Sequence, residues 1–108
     1  RPFSTTLTCY STLIMPTLHL ISSTLNDELY QQLMTILLDD DVLLFTDQGV
    51  YNIQSQNALL NQYTCYALIS DLQAYGLLEF VKKTSCKIID YPEFVQLGIH
   101  YERSISWH

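Results

Sequence analysis

The side chains of this chain that could carry chemistry are three cysteines, three histidines and one run of acids, and their spacing decides what kind of chemistry that is. Cys9, Cys65 and Cys86 are odd in number and never closely paired, which speaks against a disulfide framework and fits a reducing cytoplasm. A reactive thiol needs a lowered pKa and exposure, as at a helix N-terminus or in a basic loop. Cys65 lies in, and Cys86 beside, a stretch that reads as a buried strand, where a thiol behaves as a small apolar group. They are weak alternative nucleophiles, and no catalytic residue stands out.

His19, His100 and His108 are far apart, and none stands at helical i, i+4 spacing from another ligand, so no metal is expected. His19 sits inside an apolar strand and reads as a structural histidine with its hydrogen bonds satisfied. Asp39-Asp40-Asp41 falls at a helix-to-strand turn and reads as a solvated run, with Asp39 and Asp40 poorly placed against the negative end of the helix dipole. Asp47 is different. It comes after the apolar run Val42-Leu43-Leu44-Phe45, in front of Gly49, at the carboxyl end of a strand. Open α/β sheets build their sites there, although turn chemistry alone also accounts for an aspartate in that place. Three isolated glycines cannot make a phosphate loop, and Ser22-Ser23-Thr24 after the first strand has no glycine, so no cofactor is expected.

The elements that must position these residues alternate between strand and helix. At 108 residues the chain has room for one core. Residues 1–14, rich in Ser and Thr, differ in composition from the rest of the chain. They read as a non-native or loosely ordered segment before Met15, with a single domain over 15–108. Leu18–Ile21 is a first strand. A helix with Thr24 as its cap comes next, with Leu29, Leu33, Ile36 and Leu37 on one stripe. Val42–Phe45 has no polar face and suits a strand buried on both sides. Val50–Ile53 reads as a short extended segment and 54–62 as a short helix. Thr64–Ile69 is a third strand, Ser70 with Gln73 marks a helix start, and Gly76 marks its stop. Lys87–Asp90 is a fourth strand. Pro92 opens a helix with Phe94, Val95 and Leu97 facing in, and Ser104–Trp107 alternates like an edge strand. This order predicts a three-layer α/β/α domain with a mostly parallel sheet and short helices on both faces.

Eleven acids against five basic residues, net charge −6, oppose a direct grip on nucleic acid. No stretch is long enough for a membrane span. A hydrophobic fraction of 48% with little charge leaves apolar surface over for a protein partner.

Taken in order, Leu18-His19, the run from Asp41 to Tyr51, Tyr66-Ala67-Leu68 with Asp71-Leu72 and Gly76-Leu77, Ile88-Ile89-Asp90-Tyr91 with Phe94-Val95, and Trp107 resemble the TusB/DsrH family of sulfur-relay proteins over about Met15 to Trp107. Gln48, between Asp47 and Gly49, departs from the family's Asp-Gly turn by one residue. The resemblance implies a DsrEFH-like fold. It also implies a subunit, without catalytic activity of its own, of a heterohexamer with TusC-like and TusD-like subunits. That complex passes persulfide sulfur toward 2-thiouridine at the tRNA wobble position. Some relatives carry a cysteine after the first strand; Ser22 to Leu38 contains none, which resembles the non-carrying type. Asp47, Gly49, Tyr51 and Trp107 are then the expected interface elements. The alternative is a sulfurtransferase that carries persulfide on Cys65 or Cys86.

Overall fold

A computed structural model of the chain describes residues 16–55 and 57–107. The segment 1–14, with Cys9, and Met15, Gln56 and His108 lie outside the described residues. The elements are β1 (Thr17–Ile21), α1 (Asp27–Ile36), β2 (Val42–Phe45), a 3-10 turn (Asp47–Tyr51), α2 (Asn52–Ser55), α3 (Asn57–Gln62), β3 (Thr64–Leu68), α4 (Ile69–Ala74), α5 (Leu78–Val81), β4 (Lys87–Ile89), α6 (Tyr91–His100) and β5 (Arg103–Trp107).

The five strands form one sheet in the order β4-β3-β2-β1-β5, with every pair parallel. From β1 to β4 the chain steps the same way across the sheet. Right-handed crossovers therefore keep α1 to α5 on one face. The step from β4 to β5 runs back past the whole sheet and puts α6 on the other. The core divides accordingly. Leu43 and Phe45 point into the larger cluster with Leu33, Ile53, Leu59 and Leu72, while Val42 and Leu44 point into the smaller one under Phe94, Leu97 and Tyr101. That is why Val42–Phe45 has no polar position: all four side chains are buried.

Local chemistry explains the ends of the elements. Asn26, rather than Thr24, caps α1, its side-chain oxygen accepting from the Leu29 N–H at 2.8 Å. Gly76 stops α4 in the left-handed region at φ 70°, and the Leu77 N–H closes on the Leu72 carbonyl at 2.8 Å, the Schellman arrangement that needs such a residue. Asp90 and Glu93 form a reciprocal capping box on α6, with Pro92 in its first turn.

Four further expectations about the elements are corrected. Val50–Ile53 is helical, because Val50 and Ile53, three apart, are both fully buried, a helical period. Ser70 does not cap α4: the helix starts at Ile69 with no side-chain cap bond. Val95 faces outward at 41% exposure, since Phe94, Leu97 and Tyr101 take the inward stripe. Ile36 is 44% exposed, while Leu33 and Leu37 on the same helix side are buried.

Candidate functional site

Three places in the fold gather the residues singled out above. The first is the carboxyl end of β2. Asp47 adopts φ 50°, a left-handed conformation that aspartate tolerates better than most residues. Its N–H donates to Asp71 Oδ2 at 2.8 Å, and its Oδ1 accepts from the Tyr75 hydroxyl at 2.6 Å. That bond, with the neighbouring carboxylates, raises the Tyr75 pKa above its ordinary value. Tyr51 meets Tyr75 edge-on with ring centres 5.2 Å apart. The Asp47 and Tyr51 side chains are exposed, so this end of the sheet presents an acidic, aromatic surface.

Gly49 does not belong to that surface. It is buried against the end of β1, where an added Cβ would lie 1.9 Å from the Ile21 carbonyl oxygen. Asn52 fixes the same junction and was not singled out from sequence. Fully buried, it accepts the Leu25 N–H on Oδ1 and donates from Nδ2 to the Ser23 and Gly49 carbonyls, each at 2.9 Å. One amide thus ties the loop after β1 to the turn after β2. Asn52→Ala strands three backbone partners, two of them buried, and is expected to cost roughly 2–4 kcal/mol, measured by urea unfolding. A change within experimental error would contradict that role.

The second place joins β1, β2 and β5. The Trp107 indole N–H donates to His19 Nδ1 at 3.1 Å, and His19 Nε2 lies 2.9 Å from Asp41 Oδ2. An indole nitrogen can only donate, so Nδ1 keeps its lone pair and the ring proton sits on Nε2, donating to Asp41. Asp41 also accepts the Thr17 N–H at 2.9 Å and the Leu38 N–H at 3.1 Å. His19 is the satisfied structural histidine expected. Asp41 corrects the reading of the acid run as solvated: it is 2% exposed, whereas Asp39 and Asp40 are exposed. Its role was legible only from position, as the residue just before β2, beside the start of β1. Trp107 is half-buried with its ring turned inward. Its carbonyl accepts the Ser22 N–H at 3.2 Å, so the backbone of the strand end is also engaged. An open cleft of about 680 Å³ lies against the amino end of this group, lined in part by Ile36, Leu38, Arg103 and Ile105.

The third place is the β3–β4 edge. Cys65 and Cys86 are both buried thiols. Burial pushes each up to about 12, with the neighbouring Cys86 adding to the rise at Cys65. At neutral pH neither offers a thiolate. Iodoacetamide at pH 8 is therefore expected to label both far more slowly in the folded chain than in urea, read by peptide mass; labelling of the native protein at the unfolded rate would contradict this. Stability depends on pH through the same two groups. In the unfolded chain these thiols release protons near 9.0, and in the fold only near 12. Their contribution to stability is full below about pH 9 and is lost as pH rises toward 12. Cys65→Ala/Cys86→Ala should flatten the alkaline fall in stability.

Among the described residues no cluster of His, Cys, Asp and Glu has the arrangement to hold a metal ion, and no helix is long and apolar enough to cross a membrane.

An all-parallel α/β sheet of this order, tied by a buried histidine–aspartate pair and a closing tryptophan, defines a small doubly covered α/β domain. Residues 22–104 match the profile of the family described as "DsrH like protein", and the chain belongs to that family. It is 30% identical over 83 residues to "Protein TusB" of Salmonella arizonae, covering 72% of this chain and 86% of that protein, and equally similar to the proteins of that name in Salmonella paratyphi B and Salmonella newport. Membership supports a role in sulfur relay.

Proposed function

We propose that this chain is a non-carrying structural subunit of a sulfur-relay complex, a heterohexamer with TusC-like and TusD-like subunits. The complex passes persulfide sulfur toward 2-thiolation of the tRNA wobble uridine in the cytoplasm. The observation that carries the reading is the state of the two described thiols: both are buried and both are pushed up to about 12, the reverse of what a persulfide carrier needs. The net charge of −6 favours protein partners over direct contact with tRNA.

The surface supports assembly. On the outer side of α6, Tyr91, Val95 and Ile99 recur at i, i+4 and i+8 with exposures of 65%, 41% and 70%. An exposed apolar stripe of that kind is a candidate surface for a partner to cover. Asp47 and Tyr51 offer a second contact at the carboxyl end of the sheet. In this reading Gly49 acts by shaping that turn, and Trp107 by holding the strand end through His19.

Co-expression with tagged TusC-like and TusD-like subunits tests this. The wild type is expected to co-purify with them, and Tyr51→Glu/Ile99→Glu to lose at least about tenfold in retention while its far-UV spectrum stays native. Failure of the wild type to associate, or full retention of the double variant, would overturn it.

A further inference from the structure

The two buried thiols stand side by side. The β3–β4 ladder begins at Tyr66 and Lys87, and Cys65 and Cys86 stand immediately before it, close enough for the Cys86 thiol to act on Cys65. The pleat sends both to one face: both belong to the larger core cluster, while Tyr66 and Lys87 point to the other face with the ammonium over the ring. Neighbouring strands run about 4.8 Å apart, and a disulfide needs Cα atoms roughly 4.4–6.8 Å apart. β4 is the outer strand on this side and has only three residues, so the ladder opens here at the lowest cost. Access is unequal. An open cleft of about 320 Å³ is lined by Cys65 together with Tyr63, Thr64, Ser85 and Lys87, and Cys86 does not line it. The Cys65 thiol points toward the Leu59 and Tyr63 carbonyls, at 3.6 and 3.4 Å.

We propose that Cys65 and Cys86 form a cross-strand redox pair that a small peroxide converts to an intramolecular disulfide, with Cys65 the sulfur oxidised first and Cys86 the resolving thiol. When the edge opens, the Cys65 thiolate attacks one oxygen of hydrogen peroxide. The O–O bond breaks, hydroxide leaves and takes up the thiol's proton as water, and Cys65 becomes a sulfenic acid. The Cys86 thiol then attacks that sulfur, the S–S bond forms, the S–O bond breaks, and a second water leaves. Two thiols lose two electrons to one peroxide. The rarity of opening makes the first step slow. The second step is favoured because Cys86 lies near Cys65 in the same core cluster. The product is a staple across the sheet edge. This inference is independent of the subunit reading, since it concerns this chain alone.

The test treats the folded full chain, in a Cys9→Ser background, with excess hydrogen peroxide and maps the products by peptide mass spectrometry. The expected product is a monomer lighter by about 2 Da, with Cys65 joined to Cys86 and neither alkylated after unfolding. Cys86→Ser is expected to leave a Cys65 sulfenic acid that dimedone traps, and Cys65→Ser to leave Cys86 a thiol over the same time. Sulfinic acid at either position without cross-linking, dimers joined between chains, or a Cys65–Cys86 bond that forms only in urea would each overturn the proposal. Because the wild-type product is mapped directly, the result stands even where a variant fails to fold.

Discussion

Asp41→Ala is expected to destabilise the fold by roughly 3–5 kcal/mol, a large share of the total stability of a small domain. The carboxylate takes hydrogen bonds from His19 Nε2 and from the Thr17 and Leu38 backbone N–H groups, all in the interior or at its margin. Removing it orphans three donors at once, and each unsatisfied buried group costs on the order of 1–3 kcal/mol. The loss also releases His19, and with it the grip on Trp107 that holds the end of β5 to β1. Urea unfolding should show a lower midpoint with an unchanged slope. Asp39→Ala and Asp40→Ala, on exposed neighbours, should stay within about 0.5 kcal/mol of the parent. Equal effects at all three positions would show that the acid run acts only through its charge.

Gly49→Ala is expected to cost about 3 kcal/mol or more. The new Cβ would meet the Ile21 carbonyl oxygen at 1.9 Å and its carbon at 2.7 Å. These are backbone atoms of a central strand, and the same carbonyl accepts the Thr46 N–H at 3.0 Å, so it cannot turn aside without breaking that bond. The comparison is Gly98→Ala in α6, where nothing lies within 4 Å of the added atom. There the higher helix propensity of alanine should leave stability unchanged or raise it by up to about 1 kcal/mol. Thermal unfolding of both variants reads the contrast; similar behaviour would mean that the turn after β2 shifts freely from β1.

The strands and their burial were legible because the apolar runs were decisive. Val42–Phe45, with no polar position, had to lie between two layers, and the alternation of strands with short helices left few arrangements other than a parallel sheet. Less was legible where one backbone or side-chain contact overrides local pattern. Val50-Tyr51-Asn52-Ile53 looks extended as a string, but Asn52 folds it into a helical turn by bonding Ser23, Gly49 and Leu25 across the sheet end. Asp41 looks like its two neighbours, and only its position opposite Thr17 and His19 makes it an interior residue. Of the candidate site, the exposure of Asp47 and the burial of both cysteines came from strand placement. The closeness of Cys65 to Cys86 did not, because it depends on where β4 docks against β3, which no local spacing encodes.

The most direct test of the central claim, that this chain supports a relay without holding the sulfur, is intact-mass spectrometry of the folded protein after incubation with a persulfide donor, alone and bound to TusC-like and TusD-like subunits. The mass of this chain is expected to stay unchanged while the complex still assembles. A gain of about 32 Da, one sulfur atom, that disappears in Cys65→Ser or Cys86→Ser would contradict it, because it would place an accessible sulfur acceptor on this chain.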